Sequence, residues 1–205
     1  MDALTLRKFI DKLSSEHPAQ IEKALHALAT QIPLFVPQDQ QNLTKAAVLV
    51  PFIMHSNNPS LLLTVRTAHL LHHAGQISFP GGKNDEQEDA ITCALRETQE
   101  EIGIHPDKIE VITSLGTWPS FSGFLITPVI GLITPPIQHQ AFEHEVQEVF
   151  EIPLNVAFDS KRYQRVEKQT PIAHHYYELN FEEKRIWGFT AGLMLLLASF
   201  ANKNC

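Results

Sequence analysis

Residues 82–104 read GKNDEQEDAITCALRETQEEIGI, and this segment decides most of what the sequence predicts. Glu97, Glu100 and Glu101 are three and four residues apart, which places their carboxylates on one face of a helix. Like charges at this spacing repel one another and weaken the helix. A hard divalent cation such as Mg²⁺ removes the repulsion, because it prefers carboxylate and water oxygens. The alternative is a solvated acidic face on an ordinary surface helix.

The residues around the acidic cluster predict how the helix is held. Gly81 and Gly82 allow tight backbone geometry and the close approach of a ligand. Gly103 is placed to end the helix in the left-handed conformation. We expect Arg96 to bind a neighbouring carboxylate through its forked guanidinium and so to hold it in orientation.

The opposite side of the same helix is predicted to face the core. Ile91, Ala94, Leu95 and Ile102 recur at helical spacing, which is typical of a buried stripe. Thr98 lies within that stripe. We expect its hydroxyl to bond a backbone carbonyl of the preceding turn.

The composition predicts a globular protein with one hydrophobic core. Of the 205 residues, 43% are hydrophobic and 19% are charged, which is ordinary for one well-buried domain. We expect a single domain over 1–205, with an N-terminal helical extension at 1–45 and a core at 46–205. The net charge of −7 and the lack of a basic stripe predict no nucleic-acid partner.

The remaining compositional features predict a cytoplasmic protein. Cys93 and Cys205 provide no disulfide framework and favour a reducing compartment. The first ten residues lack the pattern of a signal peptide. The most apolar run, Gly192 to Ala201, is too short to span a bilayer, so we expect no membrane partner.

Hydrophobic patterning predicts an α+β fold with strands flanked by helices. We expect helical structure up to about residue 32, where Pro33 and Pro37 break it. The segment at 145–152 is followed by a polar stretch, and 186–202 is predicted to be a C-terminal helix with one apolar face. The predicted strands lie at 46–54, 61–66, 76–79, 109–117, 125–134 and 173–181.

The pattern G-x5-E-x7-R-E-x-x-E-E-x-G followed by an apolar residue resembles the Nudix box of the Nudix hydrolases. Gly82, Glu88, Arg96, Gly103 and Ile104 fall in register together with the three clustered glutamates. The resemblance implies an α/β/α sandwich with a mixed β-sheet and added N- and C-terminal helices. It also implies hydrolysis of a nucleoside diphosphate linked to another group.

The implied chemistry assigns roles to the acidic residues. Glu97 and Glu101, one turn apart, are the first choice as ligands of Mg²⁺ or Mn²⁺, with Glu100 as a third metal-binding or catalytic carboxylate. A downstream acid completes such sets, and Glu145 is the candidate for a general base or an additional ligand. For any single acid of this downstream segment, a charged loop or strand edge is the alternative.

Residues 62–82, LLTVRTAHLLHHAGQISFPGG, resemble the motif L-L-T-x-R-[SA]-x3-R-x3-G-x3-F-P-G-G of the coenzyme A diphosphatase subgroup. Two positions differ, because Thr67 replaces a small residue and Leu71 replaces an arginine. The segments at 127–129, 145–146 and 187–191 are also similar to the subgroup. The resemblance implies coenzyme A or its thioesters as substrate. The residues expected to bind this small-molecule substrate are Arg66, His73, Gly81, Gly82 and Lys83.

Other interpretations stay open. The missing arginine at position 71 favours a Nudix hydrolase of ADP-ribose or another nucleoside diphosphate derivative as the first alternative. A non-catalytic binding module with the same fold is the second, although such modules commonly lose one of the box residues. Ser120, Ser122 and Gly123 are expected in a loop that shapes the substrate site. A homodimer is compatible with the sequence.

Overall fold

The computed structural model describes residues 1–30, 43–68, 75–142, 144–168 and 174–204. Within these ranges the chain forms five α-helices and eleven strands. The helices are α1 (Ala3–Ser15), α2 (Pro18–Ala29), α3 (Ala90–Ile102), α4 (Leu154–Ala157) and α5 (Gly188–Asn204). The strands are β1 (Thr44–Ile53), β2 (Ser60–Arg66), β3 (Ile77–Ser78), β4 (Gly81–Lys83), β5 (Glu110–Ser114), β6 (Trp118–Pro119), β7 (Phe124–Ile133), β8 (Val146–Pro153), β9 (Gln164–Lys168), β10 (His174–Phe181) and β11 (Lys184–Trp187).

Strand β1 lies at the centre of a mixed eight-stranded sheet. It runs parallel to β7 along its whole length, from Thr44 opposite Phe124 to Ile53 opposite Ile133. Two strands pair with the other edge of β1. Strand β4 is antiparallel to the start of β1, and β2 is antiparallel to the end of β1. Strand β3 pairs with the end of β2. Residues 77–83 therefore fill the gap that opens between β1 and β2.

Both faces of this sheet are buried, and they bury different helices. Ala47 and Leu49 of β1 pack with the buried residues of α3. Val50 and Phe52, which point to the opposite face, pack with α1, α2 and α5. The predicted mixed sheet flanked by helices, with helices added at both ends of the chain, is confirmed.

The C-terminal part of the chain differs from its prediction. The polar stretch after residue 152 contains β9, which forms a second, antiparallel sheet with β10 and β11. The predicted helix start at Ile186 is wrong, because Ile186 pairs with Leu179 within this sheet. The helix begins at Gly188, whose φ of +66° turns the chain out of the strand.

The prediction of a single apolar face on helix α5 is also wrong. From Thr190 to Ala201 every residue except Ser199 is buried, because α2, α4 and the second sheet surround the helix. A helix that is apolar on all sides is typical of the centre of a core. No helix in the described ranges has both the length and the apolar composition that a membrane crossing requires.

The N-terminal helices form part of the main hydrophobic core. Phe9 of α1 is fully buried, and its ring centroid lies 5.8 Å from that of Phe52, 6.0 Å from Phe158 and 6.2 Å from Phe200. Two of these contacts are edge-on, an arrangement that the aromatic quadrupole favours. This cluster joins α1 to the sheet and to α5.

We expect Phe9→Ala to lower the free energy of unfolding by about 3–5 kcal/mol, the usual cost of removing a buried aromatic ring. Leu4→Ala on the same helix is the control, because Leu4 is 65% exposed. That change should shift the free energy by less than about 0.5 kcal/mol. Urea unfolding followed by circular dichroism measures both values. Equal effects of the two substitutions would contradict a core role for α1.

Candidate functional site

The gap between β1 and β2 opens into a cavity of about 470 Å³. Residues from the main sheet, from its connecting loops and from helices α3 and α5 contribute to its wall. The lining residues are Ala46, Val48, Arg66, Gln76, Ser78, Phe79, Gly81, Gly82, Lys83, Glu97, Ser120, Ser122, Phe124, Ile126, Glu145, Phe189 and Thr190. The wall thus combines carboxylates, cations and an apolar surface.

The two glycines of β4 are required by the close approach of their neighbours. Gly81 has a φ of +153°, and a Cβ at this position would overlap the backbone of Ala47 and Val48. A Cβ on Gly82 would overlap the carboxylate of Glu97. Any side chain at these two positions would displace the strand or the acid. The predicted tight geometry before the acidic helix is therefore present.

Helix α3 begins and ends at residues with specific capping geometry. Asp89 accepts hydrogen bonds from the backbone N–H groups of Ile91 and Thr92, at 2.9 and 3.0 Å. This contact satisfies N–H groups that have no partner inside the helix. Gly103 ends the helix with a φ of +71°, as its position in the sequence predicts.

The buried face of α3 is shifted from the predicted stripe. Ile91 is 37% exposed, so its assignment to the core is wrong, and the neighbouring Cys93 is fully buried instead. The Thr98 hydroxyl donates to the carbonyl oxygen of Ala94 at 2.6 Å, as expected. Glu101 lies on the same buried side with only 3% of its surface exposed. The helix therefore buries one of its three clustered acids.

Arg96 binds three carboxylates, and this confirms the predicted fork. Its Nε and Nη2 donate to the two carboxylate oxygens of Glu88 at 2.9 Å each. Its Nη1 donates to Glu97 and to Glu100, also at 2.9 Å. Nη2 further reaches the carbonyl oxygen of Lys83 at 3.1 Å. The bonds from Arg96 lower the pKa of Glu88 to about 2. Arg96 thereby ties the glycine strand to the acidic helix.

Glu101 accepts from two residues that line the cavity, Gly81 and Arg66. The N–H of Gly81 donates to its Oε2 at 3.1 Å, and Arg66 Nη1 lies 3.5 Å from its Oε1. Burial raises the pKa of Glu101 to about 8, although both donors oppose the shift. The charges of Glu97 and Glu145 raise it further. Three carboxylates therefore act on one another at this end of the cavity.

Glu97 and Glu145 face the cavity, while Glu100 does not. Burial also raises the pKa of Glu97, and Arg96 opposes this effect. Glu145 lies in a short turn, where its N–H donates to the carbonyl oxygen of Phe142. Its side chain is exposed to solvent at the cavity wall. Glu100 is 59% exposed and lies outside the cavity lining.

The clustered carboxylates point to different partners and do not converge on one point. Within the described ranges, no three His, Cys, Asp or Glu side chains meet in a group that is ready to hold a metal ion. Arg96 holds Glu97 and Glu100, while Gly81 and Arg66 hold Glu101. Partly buried carboxylates that repel one another nevertheless fit a divalent cation, which would compensate their charge.

Two predicted substrate-binding cations line the cavity. The Nε atom of Arg66 is buried and donates no hydrogen bond within the described residues. Lys83 is exposed, and its Nζ lies 6.0 Å from the ring centroid of Phe124. His73, with Leu71 and the other histidines of the upstream segment, lies outside the described residues.

A hairpin of β6 and β7 forms another part of the wall. Ser120 and Ser122 line the cavity as predicted, and their hydroxyl oxygens are 3.0 Å apart. Gly123 has a φ of +84° in the turn but does not line the cavity. Sequence reasoning does not assign nine further lining residues to the site. The similarity of 62–82 and 187–191 to the subgroup covers five of them, and no signal points to the other four. The nine are Ala46, Val48, Gln76, Ser78, Phe79, Phe124, Ile126, Phe189 and Thr190.

A model of the NUDIX domain matches residues 43–172 of this chain. The chain belongs to the Nudix family. It is 42% identical over 168 residues to a protein of Pectobacterium atrosepticum named uncharacterized Nudix hydrolase NudL, with 81% of this chain and 86% of that one covered. The protein of the same name from Escherichia coli K12 is 41% identical over 165 residues, with 80% and 85% covered.

Solved structures agree on the fold. A MutT protein from Methanosarcina mazei Go1 superposes with a TM-score of 0.52 at 15% identity, covering 78% of this chain and 94% of that one. A MutT/nudix family protein from Enterococcus faecalis has a TM-score of 0.50 at 16% identity, covering 89% and 73%. The family and the hydrolase relatives make this protein a pyrophosphohydrolase, and such enzymes generally use divalent metal ions.

We expect the contribution of Glu88 to stability to depend on pH. Its folded-state pKa of about 2 lies below the ordinary value of 4.5, so its ion pair with Arg96 stabilises the fold above about pH 4.5. That stability is lost as the pH falls toward 2. Glu88→Gln should therefore lower the free energy of unfolding at neutral pH, and its difference from wild type should shrink as the solution is acidified. Urea unfolding at a series of pH values measures this.

Glu86→Gln is the matched control for this experiment, because Glu86 is exposed in the same turn. It should change the free energy of unfolding little at any pH. A deficit of Glu88→Gln that stays constant under acidification would contradict the ionic origin of the contact.

Proposed function

We propose that this Nudix enzyme hydrolyses the diphosphate bond of coenzyme A or of its thioesters. The products would be adenosine 3′,5′-bisphosphate and 4′-phosphopantetheine or its acyl form. One observation carries the proposal: Arg66, from the segment that resembles the coenzyme A diphosphatase motif, lines the same cavity as Glu97 and pairs with Glu101. The two motifs thus contribute opposite charges to one site, as an anionic substrate and its cation require.

In this proposal Glu97 and Glu101 hold Mg²⁺ or Mn²⁺, with Glu100 as a third ligand. The bound cation would supply charge neutralisation at phosphoryl oxygens and a more acidic water. Glu100 bonds Arg96 at 2.9 Å, so it would have to exchange that contact in order to join the set. Arg96 keeps Glu97 oriented through its own bond at 2.9 Å.

Other residues of the cavity would bind the substrate phosphates and accept a proton. Arg66 and Lys83 would bind the phosphate oxygens. The planar guanidinium of Arg66 can donate two parallel hydrogen bonds, and the ammonium of Lys83 adds a charge on a flexible chain. Gly81 and Gly82 let the diphosphate approach the backbone. Glu145 would accept the proton of the attacking water. Its exposure to solvent allows the proton to leave after each turnover.

The apolar wall would bind the part of the substrate that carries no phosphate. Val48, Phe124 and Ile126 line the same cavity as Glu97 and Glu145. Their surfaces suit a pantetheine chain or a base, since such sites combine an apolar lining with a few polar groups. His73 is proposed as a further contact from the upstream segment.

The strongest rival is hydrolysis of ADP-ribose or another nucleoside diphosphate derivative. It is favoured by Leu71, which removes a cation that a 3′-phosphate would use. Losing one charge-assisted contact costs about 1.5–3 kcal/mol, or roughly tenfold to more than a hundredfold in affinity. The intact acids and Arg96 count against a non-catalytic binding module.

A substrate panel separates these possibilities. Coenzyme A, acetyl-coenzyme A, dephospho-coenzyme A, ADP-ribose and diadenosine tetraphosphate are incubated with the enzyme and Mg²⁺ or Mn²⁺, and the products are identified by chromatography. We expect kcat/KM to be highest for coenzyme A or its thioester and only modestly lower for dephospho-coenzyme A. A higher kcat/KM for ADP-ribose than for every coenzyme A compound would refute the proposal.

Leu71→Arg tests the recognition of the 3′-phosphate within the same panel. The variant restores the cation of the subgroup motif, so it should widen the ratio of kcat/KM between coenzyme A and dephospho-coenzyme A. Leu71→Gln, which adds a polar side chain without charge, is the control. Equal ratios in all three proteins would show that position 71 does not face the 3′-phosphate.

Glu101→Gln tests the proposed metal site. The amide keeps an oxygen that accepts from Gly81 but removes the charge, so turnover should fall on the order of a hundredfold or more. Mn²⁺ binding, measured by electron paramagnetic resonance, should weaken in parallel. Glu110→Gln is the control, because Glu110 is exposed in β5, where it pairs with the far end of β7. Normal Mn²⁺ affinity in a folded Glu101→Gln protein would refute the ligand assignment.

A further inference from the structure

Helix α2 contacts the start of the β6–β7 hairpin, which forms one wall of the cavity. In this hairpin Trp118 of β6 pairs with Ile126 of β7, and Pro119 pairs with Leu125. The turn at 120–123 connects the two strands. Four residues of the hairpin line the cavity: Ser120, Ser122, Phe124 and Ile126. Helix α2, all of which lies in the described part of the chain, contributes no lining residue, so any effect on the substrate is indirect, and the hairpin offers one route for it.

The principal contact is a stack between His26 and Trp118. Their ring centroids are 4.3 Å apart and the planes are inclined by 33°. Trp118 is only 2% exposed, whereas the His26 side chain is 52% exposed. The imidazole thus covers the buried indole from the solvent side. Glu22, one turn earlier, has an oxygen 3.5 Å from His26 Nε2 and steadies the ring.

A second contact reaches the backbone just before Trp118. Gly116 has a φ of +49°, and a Cβ there would overlap the carboxylate of Glu22. The indole Nε1 donates to the carbonyl oxygen of Leu115 at 2.9 Å and closes this turn. Helix α2 therefore contacts both the backbone and the side chain at the start of the hairpin.

Hydrogen bonds connect the start of the hairpin to the residues that line the cavity. The N–H of Ser120 donates to the carbonyl oxygen of Phe124 at 2.7 Å, and the N–H of Phe124 donates to the Ser120 hydroxyl at 3.1 Å. The N–H of Thr44 in β1 donates to the carbonyl oxygen of Gly123 at 3.0 Å. A shift of Trp118 is therefore passed to Ser120 and Phe124, which follow it in the hairpin.

We propose that His26 is a positioning residue for substrate binding. Through Trp118 it fixes the hairpin that lines the same cavity as the carboxylates, and it touches no reacting group. Its loss should impair binding of the substrate more than the chemical step. This inference rests on the proposed site but not on the identity of the substrate.

Steady-state kinetics of three variants test the proposal, with the best substrate of the panel. His26→Ala should raise KM roughly threefold to tenfold, the range expected for one aromatic contact, and leave kcat within about twofold. His26→Phe keeps the stacked ring and should restore KM. Lys23→Ala is the matched control, because Lys23 is exposed on the same helix. An unchanged KM, or an equal KM in His26→Ala and His26→Phe, would overturn the proposal.

Hydrogen exchange of the protein alone gives a second measurement that needs no substrate. In His26→Ala the amides at 118–126 should exchange faster, while those of β2 and α3 keep their wild-type rates. Faster exchange over the whole protein would overturn the proposal, since it would indicate general destabilisation. Unchanged exchange at 118–126 would overturn it as well. Because this result is independent of turnover, it stands even if coenzyme A proves not to be the substrate.

Discussion

The concentration of negative charge on α3 is the constraint on which the site depends. Glu97 and Glu101 are taken partly or wholly out of water, where an unpaired carboxylate is costly. Two arginines from different elements offset the cost, Arg96 on the helix itself and Arg66 at the end of β2. The raised pKa of Glu101 indicates that this compensation is incomplete in the protein alone. A divalent cation bound here would favour the ionised carboxylates and would bring a positive charge to an anionic substrate.

That constraint also explains the shape of the sheet. The short strand β4 lies in the gap where β1 and β2 separate, and its first two residues are glycines. Gly81 donates its N–H to Glu101, and Gly82 leaves room for Glu97. The strands on either side of the gap are buried on both faces, with α3 on one and α1, α2 and α5 on the other. The opening is therefore bordered by strands that the core holds in place.

The sequence predicts those features whose cause is local. The acidic spacing, Gly103 at the helix end and the back-bonded Thr98 each depend on residues within one or two turns. The assignment of Ile91 to the core is wrong because two stripes on this helix have nearly the same periodicity. One includes Ile91, which is exposed, and the other includes Cys93, which is buried. Strand β9 is not predicted, because its residues are mostly polar and its partner β10 lies several residues further along the chain. The break between β11 and α5 depends on Gly188, whose role is visible only once Ile186 is paired with Leu179.

The residues proposed for the reaction can largely be predicted from the sequence, whereas the residues proposed for substrate specificity cannot. Most groups proposed for the reaction lie in the continuous segment 81–101, so their spacing carries a recognisable signal, and Glu145 and Arg66 lie outside it. The apolar wall is assembled from β1, the β6–β7 hairpin and the start of α5, which are far apart in sequence. Phe124 and Phe189 show no periodicity or charge pattern that distinguishes a wall residue from a core residue. Since each substrate of a diphosphatase presents similar phosphates, discrimination must come from this dispersed wall and from the cations beside it. A change of substrate within this fold therefore requires no change in the acidic helix.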